Sequence, residues 1–231
     1  MEMAEIGATA EGGCNRLALT DEDKAGRDLF VRWCEEARCK VRIDQMGNIF
    51  ACREGMPADL PKVICGSHLD TQRTGGKFDG VYGVLAALEV IPPLNDPVIK
   101  TRHPVEAVVW SNEEGARFSP AMIGSAVWAG VYDLAYGHSR TDAGGARFDE
   151  SLQRIGYLGD HPCAPLGIRA AFEAHIEQGP VLERAGDTIG VVSGIQGIRW
   201  FEIVIDGKSS HAGSTPMDAR NDPVTALGAI L

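Results

Sequence analysis

The chain has 231 residues and a formal net charge of -10 at pH 7, from 22 Lys and Arg against 32 Asp and Glu. Hydrophobic residues make up 44% and charged residues 23%, which is typical of a globular chain that can form a core. No stretch has the roughly 18 uninterrupted apolar residues of a membrane span, and no apolar leader is recognisable, so we expect neither a membrane protein nor a secreted one. The acidic balance without a basic run argues against nucleic acid as a partner.

The six cysteines contain no C-x-x-C pair, and several of them lie in apolar segments. A disulfide framework is expected in smaller, secreted chains. We therefore predict reduced and mostly buried thiols in a cytoplasmic protein. Cys65 stays open as a thiol nucleophile, because it lies close to the segment that is richest in reactive side chains.

Helical and strand patterns alternate along most of the chain. Apolar spacing and helix caps predict these elements in order: a helix over 21–38 capped by Thr20, a hairpin of strands over 41–43 and 49–52, a strand over 62–66, a helix from Asp79 to Pro92, a strand over 105–110, a helix over 149–157 and a strand over 170–176. This alternation predicts an α/β fold with a mixed, largely parallel sheet flanked by helices.

A second domain is predicted to begin near residue 195. The glycines of 194–197 indicate a hinge, and a strand over 200–205 and a helix from Asp222 follow it. We therefore predict a catalytic domain over 1–194 and the start of a smaller α+β domain over 195–231. Because this second domain is too short to close its own core, we expect the chain to be the N-terminal part of a longer protein.

The first group of reactive side chains follows the predicted strand over 62–66. If the extended geometry continues, its period of two places His68 and Asp70 on one face, where Asp70 can hold the imidazole in one tautomer. Asp79 lies at a helix start beside flexible glycines, which allow close approach to a ligand. Two interpretations stay open here: a ligand site, or a buried structural histidine with an N-cap aspartate.

Two adjacent carboxylates, Glu113 and Glu114, directly follow the predicted strand over 105–110 and the serine–asparagine pair after it. Because adjacent side chains point in different directions, one carboxylate can bind a metal ion while the other takes a proton from water. The alternative is a solvated acidic turn, which is common at protein surfaces.

Two further histidines lie in distinctive segments. His175 lies in a mostly apolar stretch, and Gln178 close to it offers both a hydrogen-bond donor and an acceptor to a substrate. His211, in a loop of the second domain, is suited to donate a hydrogen bond to a developing oxyanion. For each histidine the alternative is a purely structural or exposed loop position.

Together these segments indicate an α/β metallohydrolase, because imidazoles and carboxylates repeatedly follow apolar strands. Rival chemistries lack their motifs: the sequence has no G-x-S-x-G, no P-loop and no G-x-G-x-x-G after a strand. A Cys65 nucleophile paired with His68 is conceivable, but it leaves the two glutamates and His175 unexplained.

The chain resembles a known family of enzymes in four segments, 66–80, 110–118, 173–183 and 194–222. They are similar in order and spacing to the dinuclear zinc amidohydrolases that include N-carbamoyl-L-amino-acid hydrolase, β-ureidopropionase and allantoate amidohydrolase. The resemblance covers nearly the whole chain. It implies a zinc-peptidase-like catalytic domain, related to the aminoacylase-type metallopeptidases, and a lid domain through which two subunits form a homodimer.

The resemblance implies a role for each candidate residue. His68, Asp79 and His175 would hold one divalent ion, and Asp79 would bridge to a second ion held by Glu114. Both ions are expected to be zinc, with manganese or cobalt as alternatives. The remaining roles are these: Glu113 as the general base, Asp70 as the partner that orients His68, and Gln178 as a substrate contact. His211 would bind substrate and stabilise the tetrahedral intermediate, either in its own subunit or in the active site of a partner subunit.

One ligand of the second metal site is absent from this sequence. In the family that the chain resembles, a histidine from a C-terminal segment completes that site. His103, His138 and His161 lie in no motif that would replace it. We therefore expect this chain to bind at most one ion tightly and to hydrolyse little by itself.

The implied function is hydrolysis of the carbamoyl or ureido C–N bond of N-carbamoyl-L-amino acids, which releases the amino acid, ammonia and carbon dioxide. Allantoate, another ureido compound, or an amide or peptide bond are alternative substrates within the same class. A non-catalytic remnant that binds metal is the alternative from a different class.

Overall fold

A five-stranded mixed sheet organises the computed structural model, which describes residues 1–57, 59–96, 99–199 and 201–230. The strands lie in the order β1-β2-β4-β3-β5 and have these bounds: β1 Lys40–Ile43, β2 Ile49–Arg53, β3 Lys62–His68, β4 Val105–Trp110 and β5 Ile168–Phe172. β3 is parallel to both β4 and β5, whereas β2 is antiparallel to β1 and to β4. The predicted mixed sheet flanked by helices is confirmed.

Helices precede, separate and follow the strands along the chain. In the described part of the chain they are α1 Glu2–Glu5, α2 Asp21–Glu36, α3 Val81–Leu94, α4 Ile123–Trp128, α5 Leu134–His138, α6 Phe148–Ile155, α7 Val181–Ala185 and α8 Pro223–Ile230, with a single 3-10 turn over Met217–Ala219. α3 packs against β3 and β4, and α2 packs against β1. Among the described residues, no helix is long and apolar enough to cross a bilayer.

Local sequence signals explain the long helix α2. The Thr20 side-chain oxygen accepts a hydrogen bond from the Asp23 N–H at 3.3 Å, and three acidic residues occupy the first turn. The residues that α2 buries recur at helical spacing: Asp23, Gly26, Arg27, Leu29, Phe30 and Cys34. The predicted helix over 21–38 is confirmed, with its end at Glu36.

The second long helix, α3, begins and ends later than expected. Gly80 is its N-cap residue, and the helix spans Val81–Leu94. Pro92 and Pro93 lie inside its last turn and do not stop it. This turn is closed by the Asn95 N–H, which donates to the Pro92 carbonyl at 3.0 Å.

Two strands end at other residues than predicted, and their pairing explains the difference. β3 runs beyond the predicted 62–66 to His68, because its last residues pair with the end of β4. β5 stops at Phe172, where its pairing with β3 ends, although a strand over 170–176 was expected. His175 therefore lies in the loop that follows β5.

The chain divides into two compact units, Met1–Gly179 and Pro180–Leu231. The first unit contains the whole sheet and helices α1 to α6. We predicted a catalytic domain over 1–194 and the start of a lid domain over 195–231. This division stays a prediction, because compact units do not show which role each part has.

The second unit contains a helix that was expected and lacks a strand that was expected. The helix predicted from Asp222 is confirmed by α8. The strand predicted over 200–205 is wrong for residues 201–205, which form no strand, and Trp200 lies outside the described residues. Among the described residues no β-bridge involves this segment, so its alternating pattern has no pairing partner.

The main chains of β3 and β4 approach closely at Gly66, and this contact generates a stability prediction. A Cβ atom at Gly66 would lie 2.0 Å from the Val108 carbonyl oxygen, whereas a Cβ at Gly76 would meet nothing within 4 Å. We predict that Gly66→Ala lowers the free energy of unfolding by about 3 kcal/mol through overpacking. Gly76→Ala, the control, should change it by less than about 0.5 kcal/mol. Urea denaturation measures both, and equal stability of the two variants would contradict the prediction.

Candidate metal centre

Three side chains with metal-binding chemistry converge at the carboxyl end of β3. His68 is the last residue of β3, Asp79 precedes α3, and His175 follows β5. One ligand atom from each of the three lies within 4.8 Å of the others. The Nε2 atom of His175 is 3.3 Å from Asp79 Oδ1, and the Nε2 atom of His68 is 4.0 Å from the same oxygen. Two imidazoles and a carboxylate form a donor set that suits zinc, manganese or cobalt.

Gly80 allows the start of α3 to approach His68. Its φ of +66° lies in the left-handed region that favours glycine, and a Cβ atom there would lie 2.5 Å from the His68 ring. His68 and Asp79 are buried, whereas 33% of the His175 side chain is exposed. The metal-binding group therefore meets solvent on the His175 side.

The main chain of Asp70, and not its carboxylate, contacts the His68 ring. The Asp70 carbonyl oxygen lies 2.8 Å from His68 Nδ1, whereas Asp70 Oδ1 is 4.0 Å from the same nitrogen. Because a carbonyl oxygen only accepts hydrogen bonds, Nδ1 carries the proton of the neutral ring. Nε2 then keeps the lone pair that a metal ion would use.

The carboxylate of Asp70 links the loop after β3 to the turn after β4. Its two oxygens accept the main-chain N–H groups of Glu113 and Glu114, each at 3.1 Å. This link brings the turn next to the histidines, and Glu113 Oε2 lies 3.4 Å from His68 Nε2. Sequence reasoning missed the link, because it joins two distant parts of the chain through main-chain donors.

The two glutamates have different surroundings. The Glu113 side chain is 31% exposed. The Glu114 Oε2 atom accepts a hydrogen bond from the Gln72 side-chain amide at 2.7 Å, while its Oε1 atom is buried and has no hydrogen-bond partner among the described residues. A buried carboxylate oxygen without a partner fits a cation ligand. The sequence analysis predicted no role for Gln72, although this residue continues the two-residue spacing of His68 and Asp70.

Burial and neighbouring charges shift several pKa values in this site. Burial raises the pKa of Asp70 to about 6, although His68 opposes the shift. Burial also raises the pKa of Glu114. Burial lowers the pKa of His68, but the carboxylates of Asp70 and Glu113 outweigh it, so that this pKa is raised. Burial disfavours the ionised form of these carboxylates, and a bound cation would stabilise that form.

Gln178 lies beside the metal-binding group, whereas His211 belongs to the second unit. The Gln178 side-chain amide donates to Asp79 Oδ2 at 2.8 Å. His211 is exposed, and its Nδ1 atom accepts the N–H groups of Gly213 and Ser214, each at 3.1 Å. The predicted substrate-binding and oxyanion roles of these two side chains stay predictions.

The alternative of a thiol nucleophile gains no support. All six cysteines are free, and Cys65 is partly buried within β3. Burial raises the pKa of the Cys65 thiol, with Glu173 adding to the shift. A raised pKa disfavours the thiolate that nucleophilic catalysis needs.

The fold and the site define an α/β domain that carries histidine and carboxylate side chains suited to bind a metal ion at the carboxyl edge of its parallel strands. Comparison with known families narrows this class. The model of Peptidase family M20/M25/M40 matches residues 64–228, a range that contains every ligand candidate. The chain belongs to Peptidase family M20/M25/M40.

Individual relatives agree with the resemblance to amidohydrolases, which is confirmed. The chain is 51% identical to an N-carbamoyl-L-amino-acid amidohydrolase of Rhizobium meliloti, over 100% of this chain and 56% of the relative. It is 33% identical to an allantoate amidohydrolase of Bacillus subtilis, over 99% of this chain and 56% of the relative. A solved structure of an amidase of the hydantoinase/carbamoylase family from Burkholderia vietnamiensis has a TM-score of 0.95 and 56% identity, over 100% of this chain and 56% of that one. The chain spans about half the length of the proteins that it matches.

We predict that the chain binds one zinc ion through His68, Asp79 and His175. His175→Ala removes one of three donors and should weaken the zinc affinity by more than the roughly 10–100-fold typical of losing an outer partner of a ligand. Chelator competition measures the affinity. His161→Ala is the matched control, because this imidazole is 50% exposed and lies outside the group. Equal affinity of the two variants would contradict the assignment.

Proposed function

We propose that this chain is the metal-binding part of a hydrolase that cleaves the carbamoyl C–N bond of N-carbamoyl-L-amino acids. The products are the amino acid, ammonia and carbon dioxide, and one water is consumed. The observation that carries the proposal is the group of His68, Asp79 and His175, with the Glu113 carboxylate 3.4 Å from His68 Nε2. The relative from Rhizobium meliloti, whose name states this activity, supports the choice of substrate.

The ligand roles follow from the donor atoms. His68, Asp79 and His175 would hold the first divalent ion. Asp79 and the unpartnered Oε1 of Glu114 would contribute to a second site, which lacks a ligand in this chain. Zinc is the expected ion, and manganese or cobalt are accepted by the same donors. When bound, such ions polarise a carbonyl group and lower the pKa of water. Gln178 holds Asp79 in place through the hydrogen bond from its side-chain amide.

Glu113 is the general base in this proposal. Its side chain is partly exposed and lies beside the ligand group, so it can take a proton from the water that attacks the carbamoyl carbon. The same carboxyl group then returns the proton to the leaving nitrogen as the C–N bond breaks. Gln178 contacts the substrate. His211 contacts the substrate and donates to the developing oxyanion, either in its own subunit or in the active site of a partner subunit.

Two other candidates rest on particular observations. Allantoate is the second candidate substrate, because the Bacillus subtilis relative carries that name. A non-catalytic, metal-binding role is the third candidate, because the group of His68, Asp79 and His175 can hold an ion without turnover. Ammonia release from N-carbamoyl-L-amino acids and from allantoate, with added zinc, manganese or cobalt, distinguishes the three.

The proposal also includes the oligomeric state of the protein and its location in the cell. We expect a homodimer formed through the second domain and a cytoplasmic location. The family resemblance supports the homodimer, and the six free cysteines support the cytoplasmic location.

We predict that Glu113→Gln retains zinc but lowers the rate of hydrolysis by about 10²–10⁴-fold, because an amide cannot accept the proton. Single-turnover assays with the chain in excess over substrate measure the rate even when it is low. Glu150→Gln is the control, because this glutamate is exposed on α6, with its side chain 68% accessible.

Two results would contradict this assignment. A Glu113→Gln variant that hydrolyses at the unchanged rate would show that the base lies elsewhere. Inhibition by thiol alkylation together with indifference to chelators would favour a cysteine hydrolase.

A further inference from the structure

Arg16 is fully buried, and its guanidinium pairs with no carboxylate in the described part of the chain. Its Nε atom donates to the Leu69 carbonyl oxygen at 2.7 Å. One terminal nitrogen donates to the carbonyl oxygens of Met3 at 3.1 Å and Ile6 at 2.8 Å. Burying a charge is costly unless it is hydrogen-bonded, so these carbonyl groups are the partners that stabilise it.

The main chain next to Arg16 is joined to the same loop. The Arg16 N–H donates to Thr71 Oγ1 at 2.8 Å, and the Thr71 N–H donates to the Arg16 carbonyl at 2.9 Å. Cys14 and Gly75 exchange two further main-chain hydrogen bonds, at 2.9 and 3.0 Å. Hydrogen bonds at three positions of the loop over 69–75 therefore attach this loop to the N-terminal segment.

This loop carries the atoms that orient the ligand His68. Leu69, whose carbonyl accepts from Arg16, lies directly between His68 and Asp70. The Asp70 carbonyl contacts His68 Nδ1, and the Asp70 carboxylate binds the N–H groups of the glutamate turn. A change in the Leu69 peptide would thus move both the imidazole and the carboxylate of Asp70.

We propose that Arg16 is a positioning residue of the metal centre, which holds the Leu69 carbonyl so that the His68 ring presents Nε2 to the ion. The proposal rests on the proposed function, in which His68 is a metal ligand. A merely structural role predicts only a loss of stability in Arg16 variants. A positioning role also predicts a change in the His68 tautomer of the metal-free chain.

The test compares Arg16→Met, which keeps length and removes the donors, with Arg16→Lys, which keeps a charge and a donor but not the planar fork. Nitrogen-15 NMR of the metal-free chain, at a pH where His68 is neutral, reports its tautomer. We expect one Nδ1-protonated form in the parent chain and a mixture of tautomers in Arg16→Met. Zinc affinity from chelator competition should fall by roughly 10–100-fold in Arg16→Met and by less in Arg16→Lys.

Arg32→Met is the matched control. Arg32 lies on α2, its side chain is 55% exposed, and it forms an ion pair with Glu2 at 2.8 Å. This variant removes a surface contact of the same N-terminal segment but leaves Arg16 in place. It should retain both the tautomer and the zinc affinity.

An Arg16→Met variant that folds and keeps the tautomer and the affinity of the parent chain overturns the proposal. If Arg16→Met does not fold, Arg16→Lys decides, because it keeps the buried charge but loses the Nε donor to the Leu69 carbonyl and the planar fork. We expect the same changes, of smaller size, in Arg16→Lys, and their absence in that variant also overturns the proposal.

Failure of the proposed function gives a different pattern. If the parent chain binds no zinc but its His68 tautomer still responds to Arg16→Met, the metal assignment is wrong, while the orienting effect of Arg16 on His68 is real.

Discussion

The carboxylate of Asp70 is the contact on which the geometry of the site depends. It is buried, and it accepts one main-chain N–H from each of the two glutamates, Glu113 and Glu114. Hydrogen bonds to an ionised acceptor are among the stronger ones in proteins. The carbonyl of the same residue orients His68. One aspartate thus fixes the distance between a candidate metal ligand and the candidate base, although neither is near the other in sequence.

The sheet explains why these groups meet at all. β3, β4 and β5 are mutually parallel, so their carboxyl ends lie at one edge. His68 ends β3, the turn with Glu113 follows β4, and His175 follows β5. Asp79 lies at the same edge, because it belongs to the segment between β3 and α3. Candidate ligands that are distant in sequence converge because each one lies at the end of a parallel strand or in the segment that follows it.

Features that depend on neighbouring residues were predictable from the sequence, and features that depend on distant pairing were not. Thr20 caps α2 through a residue three positions away, so a short window contains the signal. The position of His68 after an apolar strand and that of His175 in a mostly apolar stretch pointed to a site, and the family resemblance supplied the ligand roles. The contact of Arg16 with the Leu69 carbonyl spans 53 positions and uses a main-chain acceptor. No pattern of side-chain types records such a contact.

The three departures from the strand predictions have the same physical cause. An alternating or apolar run shows that a segment can bury one face, but a strand forms only where another strand supplies hydrogen bonds. β3 exceeds its predicted length because its last residues pair with the end of β4, whereas residues 201–205 form no strand and stay exposed at Phe201 and Ile203. β5 ends at Phe172 because its register with β3 ends there. The early end of β5 matters for the site: His175 is free of the alternation of the sheet, and its ring can turn towards Asp79.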